Sequence, residues 1–301
     1  MAIRAVGPAN GLSWLIRALN PGSTGLRVIL GAGALFLCCL LGVAVVLGSL
    51  SSSWGDAGSG RFGAQLLTGA LVMAVLGGLM AGFLRLLHAL EQGRPARAFD
   101  LFSTYRDGAV ALRAAVFIGL LALAQNALVG WVLATMAPGF MEWYAQLATL
   151  SAEGGPTPQS LPQPPPGLGA AFALVTVAGL VGFAVQAIGL GQIAFHDRGV
   201  LQALGDGVRG TVLNLLPLLV LMLAAMVAGF ALVMVLAMAV LLVGAVASLA
   251  GPQAAGLAAA PLYFLFLLGA YVVMFRAMYH LWRDICGEAP GAQAPPGQVA
   301  L

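Results

Sequence analysis

The stretch 210–275, GTVLNLLPLLVLMLAAMVAGFALVMVLAMAVLLVGAVASLAGPQAAGLAAAPLYFLFLLGAYVVMF, decides what kind of fold this chain can have. Its 66 residues include no Asp, Glu, Lys, Arg or His. A surface in water needs groups that water solvates, so this run belongs in hydrocarbon. A layer ~30 Å thick takes about 20 residues of apolar helix, so the run is too long for one crossing and holds two or three. Its best turn signal is Ser248-Leu249-Ala250-Gly251-Pro252-Gln253, because Gly-Pro punctuates a helix.

The rest of the chain follows the same pattern. Of 301 residues, 61% are apolar and 8% charged, with a mean hydropathy of +0.99. An average soluble domain carries about 25% charged residues. This excludes a soluble enzyme, a disordered chain and a nucleic-acid module, which would need a basic face. The fold class expected is all-α: a polytopic membrane bundle of six helices at about 28–50, 62–84, 114–136, 170–195, 213–240 and 257–276. Around them we expect a cytoplasmic N-terminus over 1–27, a transmembrane domain over 28–286 and a disordered Gly/Ala/Pro/Gln-rich tail over 287–301. The first run is too long for a cleaved signal peptide, and Leu37 stands where a lipoprotein box before Cys38 needs a small residue.

All thirteen basic residues are arginines. With the N-terminus inside, twelve of them (4, 17, 27, 85, 94, 97, 106, 113, 198, 209, 276 and 283) fall in inner segments, and only Arg61 falls outside. Retention of arginine on the cytoplasmic side orients membrane proteins. Both termini are therefore expected in the cytoplasm of a bacterial inner membrane. Two spans after Arg209, not three, return Arg276 to that side.

The outer loop, 137–168, contains no arginine. It opens with Phe140, Trp143, Tyr144 and Leu147, spaced for a short interfacial helix. Six prolines follow between Pro156 and Pro166, a composition for extended chain. Before each pair of spans lies a short amphipathic segment: Leu12, Leu15, Ile16 and Leu19; Ala98, Leu101, Phe102 and Tyr105; and, more weakly, Leu201, Leu204 and Val208. Helices of this kind lie in the interface with arginines toward phosphates. They suggest three pseudo-repeated units, each a surface helix plus a helical hairpin.

No Asp, Glu, Lys or Arg lies inside a span, which argues against a buried-carboxylate transporter or an intramembrane aspartyl protease. No HExxH or GxSxG occurs. The polar groups in the spans are amides: Gln125, Asn126, Gln186 and Gln192, with Asn214 at the start of span five. They read as interhelical glue or, alternatively, as the lining of a path for a small solute. The glycines Gly78 and Gly82 in span two, Gly179, Gly182, Gly189 and Gly191 in span four, and Gly31, Gly33 and Gly42 in span one are expected to allow close helix approach.

The histidines sit at hairpin ends: His88 after span two, His196 after span four and His280 after span six. Each has an acid nearby in sequence, namely Glu91, Asp197 and Asp284. Arg85, Arg198, Arg276 and Arg283 occupy the same zone. If the ends converge, imidazole, carboxylate and guanidinium form one inner ring. Arginine forks phosphate, so lipid headgroups or an envelope protein are the partners this ring suggests; a homo-oligomer also stays open. A transition-metal site is a less favoured reading. No cofactor, metal or nucleic acid is expected, and no enzymatic activity.

Several segments carry a family likeness. Asn10-Gly11-Leu12-Ser13-Trp14-Leu15, then Glu91-Gln92-Gly93 with Asp100-Leu101-Phe102 and Arg106, and finally Met274–Tyr279 with Trp282-Arg283-Asp284-Ile285-Cys286-Gly287 resemble an uncharacterised family of bacterial six-span inner-membrane proteins. The closing aromatic–Arg–Asp–aliphatic motif is the specific part. The resemblance implies six spans and the inner membrane, and no activity. A more distant likeness is to the membrane segments that precede glycerophosphodiester phosphodiesterase domains, with no such domain present here. Read physically, the closing motif predicts that span six continues as an amphipathic helix along the surface. In that reading Met278, Trp282 and Ile285 share one face, and Asp284 pairs with His280.

Overall fold

The computed structural model describes residues 3–20, 25–52, 60–152 and 161–287. Within them the regular secondary structure is all helical, with no strand. The α-helices are α1 (Ala9–Leu19), α2 (Leu26–Ser52), α3 (Gly60–Glu91), α4 (Gly108–Met136), α5 (Phe140–Ala152), α6 (Leu168–His196), α7 (Val200–Leu213), α8 (Leu215–Ala247) and α9 (Pro252–Cys286). A 3₁₀ segment, Ala98–Arg106, precedes α4. Six helices are long and apolar enough to cross a membrane: α2, α3, α4, α6, α8 and α9. The chain is a multi-pass membrane protein with an all-α bundle. Pro156, Pro158 and the tail beyond Gly287 lie outside the described residues.

The turn signal in the long uncharged run is where that run breaks. Gly251 takes φ +122°, a conformation that suits glycine, and Pro252 opens α9 at a position where its missing N–H costs nothing. The outer loop forms the expected short helix, α5, and its Trp143 indole donates to Pro162 O at 3.1 Å.

The three short segments all form, but most of their predicted apolar residues face outward. In α1 the buried residues are Gly11, Trp14, Leu15 and Ala18, while Leu12, Ile16 and Leu19 are exposed. In α7 Ala203, Gly207, Gly210 and Thr211 face inward and Leu201, Leu204 and Val208 outward. The middle segment is 3₁₀ rather than α. Its period of three puts Leu101 and Thr104 inside and stacks Phe99 on Phe102, with Tyr105 next in that column. Small residues let the backbones approach, and Trp14, Leu15 and Leu101 are the bulky ones that enter the core.

These segments join the hairpins in a repeating way. The 3₁₀ segment packs on α2 and α3, α7 on α4 and α6, and α1 on α8 and α9. Each sits on the hairpin before it, and α1 closes the circle by taking the last. Glycine makes each seat: Gly11 against the Pro217 carbonyl, Gly82 against the Leu101 carbonyl and Gly207 against Val185 O. A Cβ at any of them would collide with backbone.

One expectation is corrected. The end of α9 does not run along a surface. Phe275, Met278, Tyr279, His280, Leu281, Trp282 and Ile285 are all buried, as is Arg276. Three other elements (α1, α3 and α6) pack around it, so both faces of the closing motif are covered.

Candidate functional site

The histidine-bearing ends of α3, α6 and α9 converge. His88 shares a 3.1 Å hydrogen bond with Tyr279 Oη, and its ring lies 4.8 Å from that of Phe195. Phe195 stacks on Trp282 at 4.3 Å, and His196 approaches the same indole at 5.8 Å. The Gln92 amide nitrogen can only donate, and it lies 2.8 Å from His88 Nε2. That places the ring proton on Nδ1, donating to the tyrosine. Together these side chains, with Glu91, Arg283 and Gly287, line a basin of about 490 Å³.

The acids next to the histidines in sequence are taken by arginines from elsewhere. Arg283 Nη1 donates to Glu91 at 3.0 Å, and its guanidinium lies 5.7 Å above the Tyr279 ring. Asp284 accepts from the Trp14 indole at 2.9 Å and pairs with Arg17, not with His280. Asp197 pairs with Arg113 of α4. Asp197 itself sits in the left-handed region at φ 55°, which Asp tolerates better than most residue types. His280 is 2% exposed, and neither of its ring nitrogens has a hydrogen-bond partner among the described residues.

The other arginines named from the sequence hold the fold together. Arg276 is 4% exposed and caps the C-terminus of α1: Nε donates to Ala18 O at 2.9 Å, and Nη2 to Arg17 O at 2.6 Å and Asn20 O at 2.9 Å. A cation there also meets the negative end of the helix dipole. Arg85 donates to Ala194 O at 3.0 Å, tying α3 to α6. Arg198 turns to Asp206 of α7, 3.8 Å away. Sequence reasoning does not pick out Trp14, Arg17 or Arg4 as members of this assembly. Arg4 Nη2 reaches Gly287 O at 2.5 Å, and the Arg4 backbone N–H reaches Ile285 O at 3.0 Å. Their partners lie more than 260 residues away, and no local pattern encodes such a pairing.

The amides have different neighbours. Gln125 lies against Gly182 of α6, and Asn126 against Gly69 of α3. Gln186 Nε2 contacts Met80 Sδ at 3.5 Å. Gln192 neighbours the Cys286 thiol. Asn214 is saturated: Oδ1 accepts from Val6 N at 2.8 Å, and Nδ2 donates to Arg4 O and Gly210 O at 3.0 and 2.8 Å. Each amide joins a different pair of segments. Among the described residues no group of three or more His, Cys, Asp or Glu could hold a metal ion.

No family model, curated protein or solved structure matches this chain.

Proposed function

We propose that this protein resides in a bacterial inner membrane with both termini in the cytoplasm, and that it binds phospholipid headgroups in the basin at the ends of α3, α6 and α9. The observation that carries this reading is the convergence of His88, His196 and Arg283 around one opening walled by Phe195, Tyr279 and Trp282. The basin's formal charges, Arg283 and Glu91, are balanced, which suits a zwitterionic headgroup. Phosphate oxygens meet the Arg283 guanidinium, and the amine meets Glu91 and the aromatic faces. The role is binding without catalysis. The even number of spans supports placing both termini on one side, and the arginine distribution supports that side being the cytoplasm.

Native mass spectrometry of the full-length protein released from a mild detergent tests the reading. Retained phosphatidylethanolamine is expected, lost in Arg283→Gln. A bare protein in both forms would sink it. For orientation, Cys38, Cys39 and Cys286 are first replaced. A single cysteine in the 92–97 loop is then expected to resist a membrane-impermeant maleimide in intact cells, and one at Gly139 to react.

A further inference from the structure

A second opening, of about 540 Å³, lies between the first turn of α2 and the last turns of α3. It differs from the basin in its chemistry. One wall is apolar: Val28, Ile29, Leu87 and Leu90. The cations are Arg276, at depth, and Arg94, which is exposed. Glu91 also lines it but is held by Arg283.

Three features make this opening electropositive. Arg276 has no carboxylate within ion-pair distance among the described residues, although only 4% of it is exposed. A buried charge without a counter-charge is costly, and the α1 carbonyls compensate only part of it. Its Nη1 makes no hydrogen bond among the described residues, while Nε and Nη2 are engaged. The 27-residue helix α2 begins at the same place with no acidic residue in its first turn, so its N-terminal N–H groups and dipole also favour an anion. Arg94 likewise has no ion pair among the described residues.

We propose that this opening is a phosphate site for an anionic amphiphile. The phosphate sits between Arg276 Nη1, the start of α2 and Arg94, and the hydrocarbon runs along Val28, Ile29, Leu87 and Leu90. The two openings share Glu91 as a wall but no arginine: Arg276 and Arg94 line this one and Arg283 the basin. Phosphate is the shared chemistry of a lipid headgroup and of the free ion, and the apolar wall favours the lipid.

The test is calorimetric titration of the detergent-purified full-length chain with short-chain phosphatidic acid, short-chain phosphatidylcholine and inorganic phosphate. Phosphatidic acid is expected to show binding that Val28→Trp removes, whereas any phosphatidylcholine binding belongs to the basin and is expected to be indifferent to Val28→Trp, because the choline cation would meet two guanidiniums here. Arg94→Gln is expected to weaken binding about tenfold, the loss of one charge-assisted hydrogen bond, with an unchanged melting temperature. Val28→Trp fills the apolar side and is expected to abolish binding. Phe195→Leu alters the basin, keeps the Arg283–Glu91 pair and is expected to leave phosphatidic acid binding intact. Inorganic phosphate that binds as tightly as the lipid would keep the phosphate site and overturn the amphiphile. Wild-type binding in both Arg94→Gln and Val28→Trp would overturn the site. Loss in Phe195→Leu alone would do the same while leaving the basin reading standing.

Discussion

The two ends of this bundle are built by different physics. At the arginine-bearing end the side chains of α1, α3, α6 and α9 interlock. Trp14, Phe83, Phe275, Tyr279 and Trp282 are buried, and guanidiniums tie separate segments through carbonyls and carboxylates. At the far end α8 and the start of α9 have little but each other. Phe230, Val235, Met238, Leu241, Leu242 and Val246 are all exposed. In hydrocarbon that exposure carries no penalty, since lipid tails are as apolar as leucine. The lesson is that apolar content places a helix in the membrane, whereas polar and aromatic partners fix which helix it touches. The most apolar span, α8, is the least enclosed, and the spans that carry arginines and aromatics at their ends are the locked ones.

This contrast can be broken most decisively at Arg276. Arg276→Leu removes three hydrogen bonds from the α1 terminus inside a buried site. A loss of about 3 kcal/mol is expected, because buried α1 carbonyls lose a charged donor. It would be read as a lower denaturation midpoint in micelles together with faster proteolysis of residues 3–20. An unchanged midpoint would mean that α1 is held by packing alone. Trp14→Phe keeps most of the buried ring but removes the donor to Asp284, and about 1.5–3 kcal/mol should be lost; Trp14→Tyr separates ring size from the indole N–H.

Smaller effects sharpen the other side of the comparison. Gln186→Leu gives up a contact to Met80 Sδ and should cost about 0.6–1 kcal/mol. If the amides lined a solute path instead, this variant would keep its midpoint and lose flux in proteoliposomes. Phe230→Ala, on the exposed part of α8, should shift the midpoint by no more than about 0.5 kcal/mol. A shift several times larger would show that this face of α8 is covered in the membrane by another helix, such as that of a second copy.

Part of the candidate site is legible in the sequence. The placement of one histidine at each of three hairpin ends points to their convergence, and His88 and His196 do line one basin with Arg283. Partner choice is not legible there. Sequence proximity suggests Glu91 for His88, Asp197 for His196 and Asp284 for His280, yet these acids pair with Arg283, Arg113 and Arg17. The closing motif reads as amphipathic because its polar residues share a face. That face is polar because Arg276 meets the α1 carbonyls and Asp284 meets Trp14 and Arg17, not because it meets water. A helical period cannot tell solvent from a buried polar partner.

What the sequence determined by itself is the membrane bundle: six crossings, the break at Gly251-Pro252, and one end richer in arginine than the other. These are sums over single residues, since the transfer of each side chain between water and hydrocarbon needs no knowledge of its neighbours. The tertiary structure alone decided which arginines are structural and which remain for a ligand. It sent Arg276 to cap a helix more than 250 residues away, closed the circle of short helices with α1, and left Arg94 unpaired among the described residues beside an opening. Those outcomes depend on distances and angles between segments remote in the chain, and a hydrogen bond exists only when both ends arrive.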